Sequence, residues 1–408
     1  MGAPKRDDVC EKDIVGLKYF DKILSMLDVL RDVGTERDRA GNRNLHMDEY
    51  CALILLYLFN PIVTSLRAMQ QASELKNVQK KLACSRSSLG SLSESVAVFD
   101  PKRIKPIIEE LGRKLQPINR NDLFKDVSGK KMTLVDGSIV KVLPWLSQAM
   151  LQKSSDKNTI RMHTFFEVDK YVPSDIVVTG GSGRGEDDER AVTEKHLEAN
   201  RVYVMDRGYA KFTLFNAIVV KESSYVCRIR DNSRYGVETS RELTSEDVDA
   251  GVLSDEIVCI GEGRNKGERP DHPIRIVTVR TTPHPRRGGK RKSDQTGGPP
   301  SDGKLRIATD MLDPPAHVIS EIYRRRWQIE TFFRFLKHLL GCRHLISTQQ
   351  NGIEIQLYMA IIACMLISLW TGRKPTKRTY EMVCHFFTGW ASEEELLAHI
   401  EKLQPNEG

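Results

Sequence analysis

The sequence predicts an α/β protein: a mixed sheet with flanking helices, interrupted by a mainly β insertion and preceded by a helical N-terminal domain. Three observations carry that prediction. Apolar residues recur at helical spacing up to about residue 120, and the period changes to two after residue 130. The segments that follow read strand, strand, strand, helix, strand. More than a hundred residues then separate the last of these strands from the next strongly amphipathic helix, far more than a connecting loop requires.

Residues 1–120 carry the helical patterns. IVGLKYFDKILSMLDVL (14–30) repeats apolar residues at three and four, YCALILLYLF (50–59) is a buried run, and FDPKRIKPIIEELGRKL (99–115) is amphipathic. Pro61, Gly90 and Pro101 punctuate them. Basic residues collect in the connections, with Arg37, Arg39 and Arg43 in one group and Lys80, Lys81 and Arg86 in another. Such clusters suit contact with DNA, or equally a solvated surface.

Residues 121–212 hold the first part of the predicted sheet. In KMTLVDGSIVKVL, Met132, Leu134 and Asp136 share one face, and the turn-prone Gly137 and Ser138 follow, so a strand delivers a carboxylate near its end. HTFFEVD (163–169) and DIVVTGG (175–181) give two more strands, and DERAVTEKHLEAN (188–200) reads as a helix. In RVYVMDRGYA (201–210), Val202, Val204 and Asp206 lie on one face and Tyr203 and Met205 on the other, as expected of a central strand covered on both sides.

The insertion is expected over 213–312. After a helix at 212–220, the segments SYVCRIRD (224–231), EIVCIG (256–261), IRIVTVRT (274–281) and KLRIATD (304–310) have the β-branched character of strands. Between the last two, residues 283–304 are rich in Pro, Gly and basic residues without apolar periodicity, which predicts a mobile loop able to touch DNA nonspecifically. Residues 313–372 return to the first unit, with an amphipathic helix at 323–337 and a core helix at 353–372. A helical tail, 373–408, opens on a basic linker (372–380) and closes on the amphipathic EEELLAHIEKL (393–403).

The 408 residues carry a formal net charge of +7 and a pI near 8.9, a balance that suits polyanionic partners. None of the eight cysteines forms a C-x2-C pair, and several lie in apolar runs, which points to a reducing compartment and away from a zinc site; Cys342 and His344 are too few ligands. The N-terminus is too charged for a signal peptide, and the most apolar run, 357–370, is shorter than the roughly 18–20 residues a bilayer span needs. A cytoplasmic protein is expected.

One stretch asks for a chemical explanation. In YRRRWQIETFFRFLK (323–337), an unbroken helix places Tyr323, Arg326, Glu330 and Lys337 within an arc of roughly 60°, beside the apolar face formed by Ile322, Ile329, Phe332, Phe333, Leu336 and Leu340. Glu330 could simply pair with Arg326 and Arg334, each four residues away. The pattern Y-x2-R-x3-E-x6-K, however, resembles the signature of the IS4-type transposases of the DDE superfamily. Asp136 in DGS and Asp206 in DRGY resemble the first and second aspartates of that pattern, whereas Asp169 and Asp310 lack the matching flanks. The resemblance covers roughly residues 85–345.

The resemblance implies a ribonuclease-H-like fold and a cut-and-paste DNA transposase. It makes Asp136, Asp206 and Glu330 catalytic carboxylates that hold two Mg2+ or Mn2+ ions, and Tyr323, Arg326 and Lys337 the residues that hold transposon-end phosphates. Its partners would be the element's terminal inverted repeats and target DNA, bound by a homodimer of what would be a bacterial, nucleoid-associated protein. The residue types suit the chemistry. Hard divalent ions take oxygen ligands, and a pair about 4 Å apart activates one oxygen of a phosphodiester exchange and stabilises the other. Arginine offers phosphate a planar fork, lysine a mobile point charge, tyrosine an uncharged hydroxyl. Two other readings stay open on sequence alone, a ribonuclease-H-like nuclease and a transposase-derived DNA-binding protein that no longer cuts.

Overall fold

The computed structural model describes residues 18–38, 41, 43–117, 129–141, 159–180, 183, 185–261, 269–281, 303–341, 345–347 and 349–402. Helices come first: α1 (Lys18–Leu27), α2 (Leu30–Val33), α3 (Met47–Phe59), α4 (Leu66–Ser73), α5 (Lys76–Leu82), α6 (Leu89–Glu94) and α7 (Lys105–Lys114). The sheet region then runs β1 (Lys131–Lys141), β2 (Thr159–Glu167), β3 (Val172–Gly180), α8 (Glu189–Lys195), β4 (Arg201–Met205), α9 (Phe212–Val220) and β5 (Ser224–Arg228). β6 (Tyr235–Ser240), α10 (Ser245–Asp249), β7 (Val252–Ile260), β8 (Ile274–Arg280) and β9 (Lys304–Thr309) follow. The chain ends in α11 (Ala316–Arg324), α12 (Trp327–Gly341), α13 (Gln350–Thr371), α14 (Lys377–Phe387) and α15 (Glu393–Glu401).

All nine strands join one sheet in the order β3-β2-β1-β4-β5-β9-β8-β7-β6. β1, β2 and β3 are an antiparallel meander, and β4 and β5 run parallel to β1, which is the ribonuclease-H-like arrangement. The strands of the insertion extend that sheet as antiparallel neighbours rather than forming a separate one. β5, grouped with the insertion on sequence grounds, pairs in parallel with β4, with Val204 opposite Val226.

Strand alternation sends side chains to two cores. Leu134, Val204 and Val226 face the larger core, built with α3, α11, α12 and α13; Val135, Tyr203, Met205 and Tyr225 face a smaller one covered by α9. α13 is apolar all round because it is surrounded: it packs on α3, α7, α12 and β3. By length and composition it could cross a bilayer, yet 94% of its most apolar window is buried inside the protein. The N-terminal helices share this core. Tyr380 of α14 donates to the Leu58 carbonyl at 2.6 Å, and the Phe59 ring packs against Trp370, Tyr380 and Phe387.

Four expectations need correction. The strand expected to deliver Asp136 near its end runs on to Lys141, so Gly137 and Ser138 pair with β2 and do not form a turn. The helix foreseen over 323–337 is broken at residues 325–326, where Arg326 N–H bonds the Tyr323 carbonyl at 3.1 Å and Gln328 N–H that of Arg325 at 2.9 Å. These bonds close over three residues instead of four, so the turn tightens and the polar stripe is split between α11 and α12. Lys377–Tyr380, read as linker, opens α14 because the Thr376 side chain accepts from Thr379 N–H. β6 escaped notice since YGVETS is mostly exposed and shows no apolar alternation. Arg39, residues 283–302, Cys342 and His344 lie outside the described residues.

Candidate active site

The parallel ladder between β1 and β4 ends at Val135 opposite Met205, so Asp136 and Asp206 are the next residues on two adjacent strands. Being in step with Leu134 and Val204, they project to the same side of the sheet, toward α12, at the carboxyl edge where parallel strands diverge and open a crevice. Asp206 is fixed by the turn it caps: its Oδ1 accepts Gly208 N–H at 2.7 Å. Asp136 stays within β1, opposite Thr164 of β2.

Glu330 arrives on α12, one residue beyond the fully buried Ile329. Aromatic packing seats this helix. The Phe332 ring lies 5.1 Å from that of Phe166 and 6.4 Å from that of Tyr171, and Tyr171 Oη donates to the Gln328 carbonyl at 3.4 Å. Arg326 joins the helix to the strand. Its Nη2 is 2.5 Å from Glu330 Oε1 and its Nη1 is 3.9 Å from Asp136 Oδ2, with the guanidinium 6.0 Å from the Tyr323 ring centre. Tyr323 is half-buried at the end of α11, and burial raises its hydroxyl pKa. Lys337 is exposed seven residues past Glu330, about 10 Å along the helix. Asp136, Asp206, Glu330, Arg326 and Tyr323 therefore gather around one crevice, and Lys337 stands off along α12.

Burial pushes the Asp136 carboxyl up to about 7; the Arg326 charge opposes the rise, while the Asp206, Glu330 and Glu189 carboxylates add to it. Glu189 was not foreseen. It is the first residue of α8, and it pairs with Arg161 of β2 on the reverse face of β1. A Cβ placed on Gly137 would lie 2.5 Å from Glu189 Oε1, so glycine at that position makes room for the carboxylate. Only the pairing of β1 with β2, and the return of α8 over both, brings these residues together.

The expected decoy Asp310 is a backbone partner, accepting Tyr225 N–H at 2.8 Å. In the N-terminal helices, Arg37, Arg43 and Arg86 pair with Asp100, Asp38 and Glu74, while Lys80 and Lys81 are exposed.

Among the described residues no three His, Cys, Asp or Glu side chains are arranged to grip one ion as they stand. The positive charge between Asp136 and Glu330 is instead Arg326. The donor set still suits a hard divalent cation. It offers oxygens only, and the neighbouring carboxylates add to the raised proton affinity of Asp136, which is the signature of a site that gains from added positive charge.

Residues 128–366, from the approach to β1 through most of α13, match the family model described as transposase DDE domain. The chain belongs to that family. Among curated proteins, this DDE transposase domain chain is 26% identical over 270 residues to a protein assigned as the transposase of insertion sequence element IS5377 in Geobacillus stearothermophilus, covering 64% of this chain and 63% of that one. It is 27% identical over 206 residues to a protein assigned as the transposase of insertion sequence element IS4SA in Synechocystis sp., covering 48% and 49%. The chain thus spans about half to just under two thirds of the length of these relatives. A piggyBac transposase solved as a synaptic complex with hairpin DNA is similar at a TM-score of 0.44 and 13% identity, over 97% of this chain and 86% of that one. The family match includes Asp136, Asp206, Glu330 and the α11–α12 segment and excludes the helices α1–α7.

Proposed function

We propose that this chain is a cut-and-paste DNA transposase, cleaving strands at the ends of its own element and transferring the freed 3′-hydroxyl into target DNA. One observation carries the reading: two aspartates just past the end of the parallel ladder between adjacent strands face a glutamate on the helix opposite, with Arg326 between Asp136 and Glu330. Asp136, Asp206 and Glu330 are the residues that would hold two divalent ions, Mg2+ or Mn2+. When bound, such ions polarise the scissile phosphate and lower the pKa of the attacking hydroxyl.

The chain's own residues do the rest. β1 and the end of β4 fix two carboxylates, and the aromatic seat of α12 fixes the third. Tyr323, Arg326 and Lys337 line the path of a strand past the carboxylates as phosphate contacts, with Arg326 exchanging its carboxylate partners for phosphate oxygens. The family and the basic balance of the chain support DNA as partner. Concerted cleavage of two ends calls for two protomers, so the assembly is proposed as a homodimer on terminal inverted repeats, with α1–α7 reading the end sequence.

The test is cleavage of a labelled duplex carrying the terminal repeat. Asp136→Asn, Asp206→Asn and Glu330→Gln should each abolish Mg2+-dependent nicking and leave duplex affinity within a few-fold, since phosphate contacts remain. Retention of nicking by any of the three removes that residue from the site.

A further inference from the structure

We propose that Glu189 is a positioning residue of the carboxylate site: its charge, balanced by Arg161, sets how strongly Asp136 and Asp206 hold a divalent cation. The inference rests on the transposase reading above. Glu189 lies behind the two aspartate positions, on the opposite side of the sheet from Glu330. One face of its carboxylate abuts Gly137, the neighbour of Asp136, at 2.5 Å from where a Cβ would sit. A Cβ on Gly208 would lie 3.7 Å from Glu189 Oε2 and 2.9 Å from Asp206 Oδ1, so the same glycine is flanked by both acids. Gly137 thus lets this carboxylate approach from behind, and a side chain at that position would hold it away.

The setting of Glu189 is built rather than incidental. Asp188 caps α8 through a bond from Arg190 N–H, which fixes the backbone of Glu189 at the helix start. Arg161 reaches it from β2, and its guanidinium is cradled by Gly183, where a Cβ would fall 3.0 Å from Nη2. Tyr209, 1% exposed, brings a hydroxyl without a hydrogen-bond partner into the same space. Glu189 places a negative charge behind Asp136 and Asp206, and Arg161, paired with it, places a positive one beside it. An anion set there favours positive charge at the front of the two aspartates. Arg161 subtracts from that field, so the pair acts as a fixed bias on the front of the site.

The electrostatic role makes the two halves of one ion pair respond with opposite signs. In the full chain without DNA, Mn2+ affinity is read by electron paramagnetic resonance at pH 8. Glu189→Gln should weaken Mn2+ binding on the order of tenfold, and Arg161→Gln should tighten it by a similar factor. A pair that only holds the fold is broken equally by either change, so shifts of the same sign, or none, overturn the proposal. Arg161→Lys keeps the charge with different hydrogen bonding and should retain the original affinity; a loss as large as that of Glu189→Gln counts against the idea. Asp136→Asn separates the two levels of inference. If it leaves Mn2+ binding unchanged, the carboxylate-site reading itself fails; if it removes binding while the Glu189 and Arg161 variants move together, only the positioning role fails.

Discussion

Asp136 is held in the fold with a proton affinity far above that of a free carboxylate, because it is buried and shares its crevice with other acids. The sign of the consequence follows from linkage. Its folded pKa of about 7 exceeds its value near 3.9 in an unfolded chain, so between those limits the folded state binds more protons. Stability without metal therefore falls as pH rises from about 4 to about 7, by up to a few kcal/mol, and is level above. Thermal melts in chelator should show Asp136→Asn raising Tm clearly at pH 8 and less at pH 5. An equal gain at both values would mean that ionisation of Asp136 is not the source. That Asp136 and Asp206 share one face was legible from alternation alone; that β1 runs on past Asp136 to Lys141 was not, because Gly137 and Ser138 read as a turn. Nor was the approach of Glu189, since it depends on a helix returning over Gly137, which a sequence shows only as a turn-former.

At the scale of elements, periodicity found the helices and most strands, but it treats each segment in isolation. It could not see that α11 and α12 meet in a tight turn at 325–326, because side chains on either side of such a joint keep helical spacing. Nor could it see Arg275. In IRIVTVR an arginine reads as a solvent-facing strand residue, yet it is fully buried. It holds Asp255 of β7 through Nε and Nη2, both at 2.7 Å, and its Nη1 donates to the carbonyls of Met311 at 3.1 Å and Pro314 at 2.5 Å. The segment that leads into α11 is thereby bound to β7 and β8. Removing one partner strands a buried charge, so Arg275→Ala should cost about 3–5 kcal/mol in urea unfolding. Arg275→Met combined with Asp255→Leu should recover a large part of that loss, since it removes both charges together. A double variant no better than the single one would show that the carbonyl contacts to 311–314, and not the charge pair, are what matters.

Across the whole molecule, the sequence suggested a helical region ahead of the catalytic sheet, and the two turn out to share one apolar interior. Long apolar runs such as YCALILLYLF and LYMAIIACMLISLW announce burial without saying against what; here α3 and α13 bury each other. The prediction is that a chain beginning at residue 118 cannot fold, because it would expose the side of α13 that α3 and α7 cover. Denaturation of the full chain followed by tryptophan fluorescence and by far-ultraviolet dichroism should give coincident midpoints. Two separated transitions would show that the N-terminal helices are an independent unit after all.

The single sheet also has a mechanical reading. β5 and β9 are joined by three residue pairs, Val226 with Thr309, Cys227 with Ala308 and Arg228 with Ile307, so this seam is the narrowest section of a nine-strand beam. A beam flexes at its narrowest section. The seam lies beside the crevice, for Cys227 Sγ donates to the Asp206 carbonyl at 3.3 Å. α11 crosses it as a splint, touching β5 on one side and β7, β8 and β9 on the other, and its last turn carries Tyr323 one short step before Arg326. Torque applied to the outer strands is thus delivered to two points of the crevice at once, the Asp206 end of β4 and the turn that carries Arg326.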